Sequence, residues 1–362
     1  MATARILAVV SAVTALLGAG CNGADEQGRP ASSLPVAATT ASTQKASPGQ
    51  REPSYPRARG IQLPDGYAAQ VYARGLTQPT AMAFGPHHRL YVTQNDGRVV
   101  VARPVPDAPR TYASGFTVPL GLAWAGDRLY VSAQGTLYKL KGHEPVPLVE
   151  KLPFGLHQQD NVVVAPGGRL YFGSGSTCNA CAEKDARSAA VLSVKPSGKG
   201  LRVEASGLRN PYGLAFEPGT SKLFVSVNGR DDLGDDNPAE SVVVLQRGAD
   251  YGWPGCWPDW GSRTLPGPDC AGVAKPLAYL EPHSSADGMA FWRGSLFVAE
   301  WGEYYSDAHG RRVVRVNPAT GKARSFAGGF EHPLALAVDR YGALLVADFG
   351  RGIVYRIRKT GG

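Results

Sequence analysis

Apolar residues recur along this chain in short paired bursts. A turn led by proline, glycine or a polar residue opens into a Leu-Ala-Phe-like segment, and a few residues later comes a strand of the Leu-Tyr-Val type. Six strand cores read this way: Leu90-Tyr91-Val92, Leu129-Tyr130-Val131, Leu170-Tyr171-Phe172, Leu223-Phe224-Val225, Leu296-Phe297-Val298 and Leu344-Leu345-Val346. The leading segments are equally alike: Pro79 to Phe84, Pro119 to Trp124, Asn161 to Pro166, Pro211 to Phe216, Asp287 to Phe291 and Pro333 to Val338. One such unit cannot bury both faces of its small sheet, so neighbours must stack. Six units closing on themselves predict an all-β, six-bladed β-propeller, with its ligand site where loops converge on the axis. No long stretch repeats at helix period, and 45 glycines and 28 prolines among 362 residues suit many turns between short strands.

The repeats begin only after an N-terminal region of different character. Arg5 precedes an apolar run from Ile6 to Leu17 and then Gly18-Ala19-Gly20-Cys21, which predicts an export signal over residues 1–20. A cysteine straight after small residues suggests the lipoprotein type, with Cys21 acylated and the protein held in the cell envelope or periplasm; without acylation it is secreted. Residues 21–59 are mainly Ala, Ser, Thr, Pro, Gln and Gly, the composition of a flexible tether. Residues 60–362 then form the propeller domain.

The formal charge of +8 raises nucleic acid as a partner, but Arg98, Arg103, Arg110, Arg128, Lys139 and Lys141 are scattered and form no stripe with aromatics. No nucleic-acid interface is expected, and membrane contact is expected only through a lipid anchor. Beyond Cys21, four cysteines allow three pairings. The local pairing, Cys178 with Cys181 and Cys256 with Cys270, is preferred because each bridge staples a loop leaving a strand. A redox-active Cys178-Asn179-Ala180-Cys181 or a four-cysteine zinc site are the alternatives.

Candidate chemistry gathers ahead of particular repeats. His157 stands before the third, near Asp160, where it can act as a general base oriented through its second nitrogen. His283 occupies the comparable place before the fifth repeat. Arg209-Asn210-Pro211 leads into the fourth: arginine offers a rigid fork of donors, and asparagine both donates and accepts. After the fourth strand core comes Asn228-Gly229-Arg230-Asp231-Asp232-Leu233-Gly234-Asp235-Asp236, whose crowded carboxylates can be relieved by arginine or by calcium.

These motifs, with Tyr251-Gly252-Trp253-Pro254, resemble the soluble quinoprotein glucose/sorbosone dehydrogenases, on the sorbosone-like side, from about Leu63 to Arg358. The resemblance implies a calcium-dependent dehydrogenase in which pyrroloquinoline quinone (PQQ), bound on the axis, accepts hydride from an aldose, sugar aldehyde or polyol-like substrate. An electron acceptor then reoxidises the quinone. By resemblance His157 is the base, and Arg209 and Asn210 contact the cofactor near its reacting carbonyl. Asn228 and His283 are further cofactor-site positions. Gly229 and Arg230 offer carbonyls to calcium, and Asp231 and Asp232 lie near a second ion. The stretches 298–303 and 330–333 lack the lysine and arginines that glucose-oxidising members give to the cofactor carboxylates; Arg311 and Arg312 are the substitutes at hand.

Two other classes make different demands on the axis. A calcium-dependent, lactonase-like hydrolase needs side-chain oxygens such as Asp160, Asn161, Asn210, Asn228 and Glu300 to converge on one ion. A non-catalytic binding propeller would have its axis filled by Trp301, Tyr304, Tyr305 or Trp253.

Overall fold

In every repeat the Leu-Tyr-Val core is the second strand of a sheet, because alternate side chains must be buried against the blade on either side. The computed structural model describes residues 52–304 and 306–360. The export signal, Cys21, most of the tether and Tyr305 lie outside them. Among the described residues there are six antiparallel four-stranded sheets, arranged as a six-bladed propeller. The inner strands are Pro79–Phe84, Gly121–Ala125, Gln159–Val164, Leu214–Phe216, Ala286–Trp292 and Pro333–Val338. No helix among the described residues is long and apolar enough to cross a membrane.

The core is divided among the blade interfaces. Leu90, Val92 and Val100 of blade one pack on Leu345, Ala347 and Val354 of blade six. Tyr91 and Val99 meet Leu129 and Val131 of blade two, and the same alternation continues around the ring. Each fully buried leucine contributes about 1.5–3 kcal/mol relative to exposure. Closure comes from the first strand, Tyr67–Arg74, which joins Ile353–Lys359 and so completes blade six with N-terminal chain. Arg356 reinforces the seam: it is fully buried and bonds Asp339 at 2.7 Å and Gln70 at 2.8 Å. Residues 52–59, read above as the end of the tether, are docked on this blade. Tyr55 stacks on Tyr72, Val71 donates to the Pro56 carbonyl, and Glu52 pairs with Arg356.

Successive blades approach closely at the upper ends of the inner strands, where glycine is required. A Cβ on Gly213 would lie 2.1 Å from the Asp287 carbonyl oxygen, and one on Gly288 would lie 2.3 Å from that of Leu334. Hydroxyls tie the same junctions: Thr80 donates to the Pro119 carbonyl at 2.6 Å, Ser226 to that of Asp287 at 2.7 Å, and Ser132 to that of Asp160.

The strand register ranks side chains by depth along the axis. Met82 pairs with Val92, Leu122 with Val131, Val162 with Phe172, Leu214 with Val225, Met289 with Val298, and Leu336 with Val346. Two residues before these equivalent positions stand Thr80, Leu120, Asp160, Tyr212, Asp287 and Leu334. All six are buried, and they form one ring around the axis. Register shifts just below Pro79, Gln159, Ala286 and Pro333 show bulges in those strands, the feature that re-aims side chains near a site. Four and five residues before the paired positions, at the mouth, lie Asn210 and Arg209 in blade four and Ser285 and Ser284 in blade five. His157 occupies the level of Arg209 in blade three.

Candidate active site at the mouth of the axis

His157 sits where the chain turns into blade three, and the tautomer of its ring follows from its hydrogen bonds. Nδ1 lies 3.0 Å from Ser176 Oγ, and the Ser176 hydroxyl donates to the Cys178 carbonyl at 2.7 Å. With its proton spent there, Ser176 accepts from Nδ1–H, which leaves the Nε2 lone pair free. The orienting partner is therefore Ser176 on the neighbouring strand and not Asp160, whose side chain turns into the buried ring below. Burial first, and then the Arg209 cation, push the imidazole down to about 3, a far larger shift than a base titrating near neutrality requires. At physiological pH this histidine is neutral and able to accept a proton.

Arg209 lies beside it, held within a small scaffold. Its Nη2 donates to Asn179 Oδ1 at 2.7 Å and to Asp231 at 2.6 Å, and Nε donates to the Asn179 carbonyl at 3.1 Å. Asn179 lies in the loop closed by the Cys178–Cys181 disulfide and also accepts from Trp253 Nε1 at 3.2 Å. The Ser176 amide donates to the Arg209 carbonyl at 2.7 Å, so one bridged loop positions both histidine and arginine. Cys256 and Cys270 are joined as well. Because both sulfurs of Cys178 and Cys181 are used in their bridge, the grouping of those cysteines with Glu183 is no metal centre.

Asn210 is buried, donates to Asn228 Oδ1 at 3.3 Å, and leaves its own Oδ1 without a partner. Asn228 in turn donates to Ser285 Oγ at 3.1 Å and to Asp287 Oδ1 at 3.4 Å. A polar thread thus runs from blade four to blade five. His283 is engaged elsewhere: its Nε2 meets the Gly234 carbonyl at 3.0 Å and its ring faces His309, while Ser285 reaches the thread.

In the loop after the fourth repeat, the carboxylates expected near a metal are spent on arginines: Asp231 on Arg209, and Asp232 on Arg230 at 2.6 Å. The Arg230 guanidinium also donates to the Pro254 carbonyl at 2.9 Å, and the Gly229 amide donates to buried Glu240 at 2.7 Å. Burial pushes Glu240 up to about 8 and Glu300 up to about 7. Arg312 bridges Glu300 and Glu281 at 2.6 and 2.7 Å. Arg311 keeps a buried Nε without a partner. On the side of blades five and six the mouth is apolar. Trp301 stacks on His332 at 3.9 Å and packs with Leu120, Tyr212, Leu334 and Phe349, while Tyr304 leans on Trp301. Trp253 belongs instead to the Asn179 scaffold.

The sequence reading passed over Asp287, Tyr212 and Ser176. Spacing in the sequence hides the first two: Asp160 stands 10 residues before Leu170 and Asp287 stands 9 before Leu296, so only the strand register puts the two carboxylates in one column, otherwise held by Thr, Leu and Tyr.

Comparison with known proteins agrees with this architecture. A family model described as glucose/sorbosone dehydrogenase matches residues 149–324, which hold His157, Arg209, Asn210 and the scaffold around them. The chain is 28% identical over 111 residues to the aldose sugar dehydrogenase YliI of Escherichia coli, a match spanning 29% of this chain and 28% of that relative. The PQQ-bound aldose sugar dehydrogenase of Streptomyces coelicolor superposes with a TM-score of 0.64 at 20% identity, covering 82% of this chain and 100% of its own. The PQQ domain of pyranose dehydrogenase from Coprinopsis cinerea gives 0.70 at 18% identity, covering 86% and 99%. Residues 149–324, which carry the motifs of the mouth, are thus similar to the glucose/sorbosone dehydrogenases, and the chain shares the fold of these solved structures.

Proposed function

We propose that this protein is a PQQ-linked, calcium-dependent dehydrogenase of an aldose, sugar aldehyde or polyol-like substrate, exported to the cell envelope. One observation carries the reading: a neutral histidine with a free Nε2 stands beside a buried arginine at the mouth, both positioned by one disulfide-closed loop.

The residues present fit the carbonyl end of such a quinone. Arg209 supplies a fixed positive field there, and the buried Asn210 amide nitrogen, which gives one hydrogen to Asn228, has a second to donate to a carbonyl oxygen. Gly229 and Arg230 are the backbone positions for the cofactor calcium. Arg311, with its unpartnered Nε, is the cation at hand for a cofactor carboxylate. When bound, the quinone supplies the two-electron acceptor, and the protein supplies position and field. His157 Nε2 takes the hydroxyl proton of the substrate as its carbon gives up hydride, and Ser176 keeps the ring in the required tautomer. Arg209 favours negative charge developing next to it. A small sugar-like substrate and a separate electron acceptor complete the cycle.

The test uses the full chain with calcium, PQQ and a dye acceptor, screened against aldoses. His157→Ala should keep quinone binding by calorimetry and lose at least about 100-fold in turnover. Ser176→Ala, which removes one hydrogen bond, should lose about 10-fold in kcat with KM little changed. Unchanged single-turnover reduction in His157→Ala would remove it as the base.

A second reading, calcium-dependent lactone hydrolysis, is favoured by the oxygen-rich interior of blades three to five. Lactone turnover without quinone would select it.

A further inference from the structure

Below the mouth, the ring of equivalent positions is divided in two. Leu120, Leu334 and Thr80 make one half, while Asp160, Tyr212 and Asp287 fill three successive blades in the other. Asp160 and Asp287 are 1% and 3% exposed. Burying an ionised carboxylate without a cation costs several kcal/mol. Asp287 has only neutral partners, Ser285 Oγ at 3.2 Å and Asn228 Nδ2 at 3.4 Å, both at the long limit of a hydrogen bond. Asp160 Oδ2 has none, and neither does the hydroxyl of Tyr212, from the blade between the two acids, or Oδ1 of Asn210.

Three unpartnered oxygens, each on a side chain more than nine-tenths buried, thus stand on the adjacent blades three and four, and Asp160, Tyr212 and Asp287 are near enough to act on one another electrostatically. Their backbones are pinned by the preceding blade's contacts: Ser132 and Ser226 hold the carbonyls of Asp160 and Asp287, and the Asn161 amide donates to the Tyr212 carbonyl at 3.2 Å. The ring therefore cannot readily relax to bring these atoms to water or to one another.

We propose that Asp160 and Asp287 bind a single calcium ion on the propeller axis, with Asn210 Oδ1 and the Tyr212 hydroxyl as neutral oxygens and water completing the shell. Two carboxylates match a divalent charge, and all the donors are hard oxygens, which calcium takes in flexible geometry where magnesium demands a near-ideal octahedron. The one imidazole nearby, His157, is oriented by Ser176. This site is separate from the backbone carbonyls of Gly229 and Arg230, and it does not depend on whether the mouth holds a quinone. The ion would tie blades three, four and five together directly beneath His157 and Arg209, through the Asn210–Asn228–Asp287 thread.

The test is calorimetric titration of the chelator-stripped full chain with calcium chloride, without quinone, alongside the metal content of the protein as purified. The expected result is a saturable event that weakens at least about 100-fold in Asp160→Asn and disappears in the Asp160→Asn/Asp287→Asn double variant. Asp231→Asn/Asp232→Asn should leave it intact. Tyr212→Phe, which removes only a hydroxyl, should weaken it less and is the variant to use if the aspartate variants fail to fold. Binding undiminished in the double variant would overturn the proposal. So would a wild-type chain that purifies without calcium and neither binds it nor gains thermal stability from it, which would mean that protons alone neutralise the pair. Quinone binding and dye reduction, measured separately, stand or fall on their own.

Discussion

Arg209 and Asp231 meet at 2.6 Å with opposite exposures: the guanidinium is 4% exposed and its carboxylate partner 64%. Solvent screens the aspartate, so the pair does not cancel the arginine's field toward the axis. His157 registers that field, since Arg209 is the second cause of its lowered titration, after burial. Arg209→Met should therefore raise the His157 midpoint from about 3 while leaving it below the ordinary histidine value, because burial persists. Asp231→Asn should move it little. NMR titration of the His157 ring measures both, and a midpoint unmoved in Arg209→Met would show that the arginine's field does not reach the base.

The two disulfides should fail differently. Cys178 and Cys181 are three residues apart, so their bridge removes little entropy from the unfolded chain; its effect is to fix Asn179 under Arg209. Cys256–Cys270 closes a 14-residue separation, and such a loop is worth about 3 kcal/mol. Cys178→Ser/Cys181→Ser should reduce turnover with a small change in Tm. Cys256→Ala/Cys270→Ala should lower Tm clearly. Calorimetric melts paired with activity separate the two, and equal Tm losses would contradict the assignment.

The blades were legible because every repeat carries its own punctuation, a turn residue followed by two short apolar strands, and that pattern survives without any long-range information. His157, Arg209 and Asn210 were legible as residues ahead of a blade. Their partners were not. Ser176 lies 19 residues beyond His157 and reaches it only through the adjacent strand, and Asn179 reaches Arg209 across 30 residues. Asp231 and Asp232 look like a cation site in sequence because nothing there shows Arg209 folding back onto the first of them. Asp287 was hidden at the start of an inner strand, where only the register of all six blades reveals that it shares a level with Asp160.

Gly213 offers a test of blade closure that does not involve the chemistry. A Cβ there meets the Asp287 carbonyl oxygen at 2.1 Å and Ser226 Oγ at 2.7 Å, both held by hydrogen bonding between the same blades. Gly213→Ala should destabilise the fold by about 1–3 kcal/mol through overpacking. Gly219 has positive φ in open space, so Gly219→Ala should act only through its backbone conformation, at about 1 kcal/mol. Urea unfolding compares them. An equal or smaller loss at Gly213 would mean the blades can separate without penalty.

Stability of the metal-free protein should fall as pH rises across neutrality. Burial holds Glu240 at about 8 and Glu300 at about 7, and it raises Asp160 and Asp287 well above the carboxylate range. Where the folded pKa exceeds the unfolded one, the native state carries the extra proton. That stability is complete below the unfolded value near 4.5 and is lost as pH climbs to the folded value. His157 works in the other direction and in another window: neutral when folded, it costs stability as pH drops from 6.5 toward 3. The lowered carboxylates Asp96, Asp185, Asp232 and Asp259 act only near and below their ordinary value of 3.8. Thermal melts in chelator should therefore peak on the mildly acidic side and decline between about pH 6 and 8. Glu240→Gln should flatten the upper part of that decline, since a neutral amide has no proton to lose. A profile that rises through this range would mean that cations of the protein already compensate these acids.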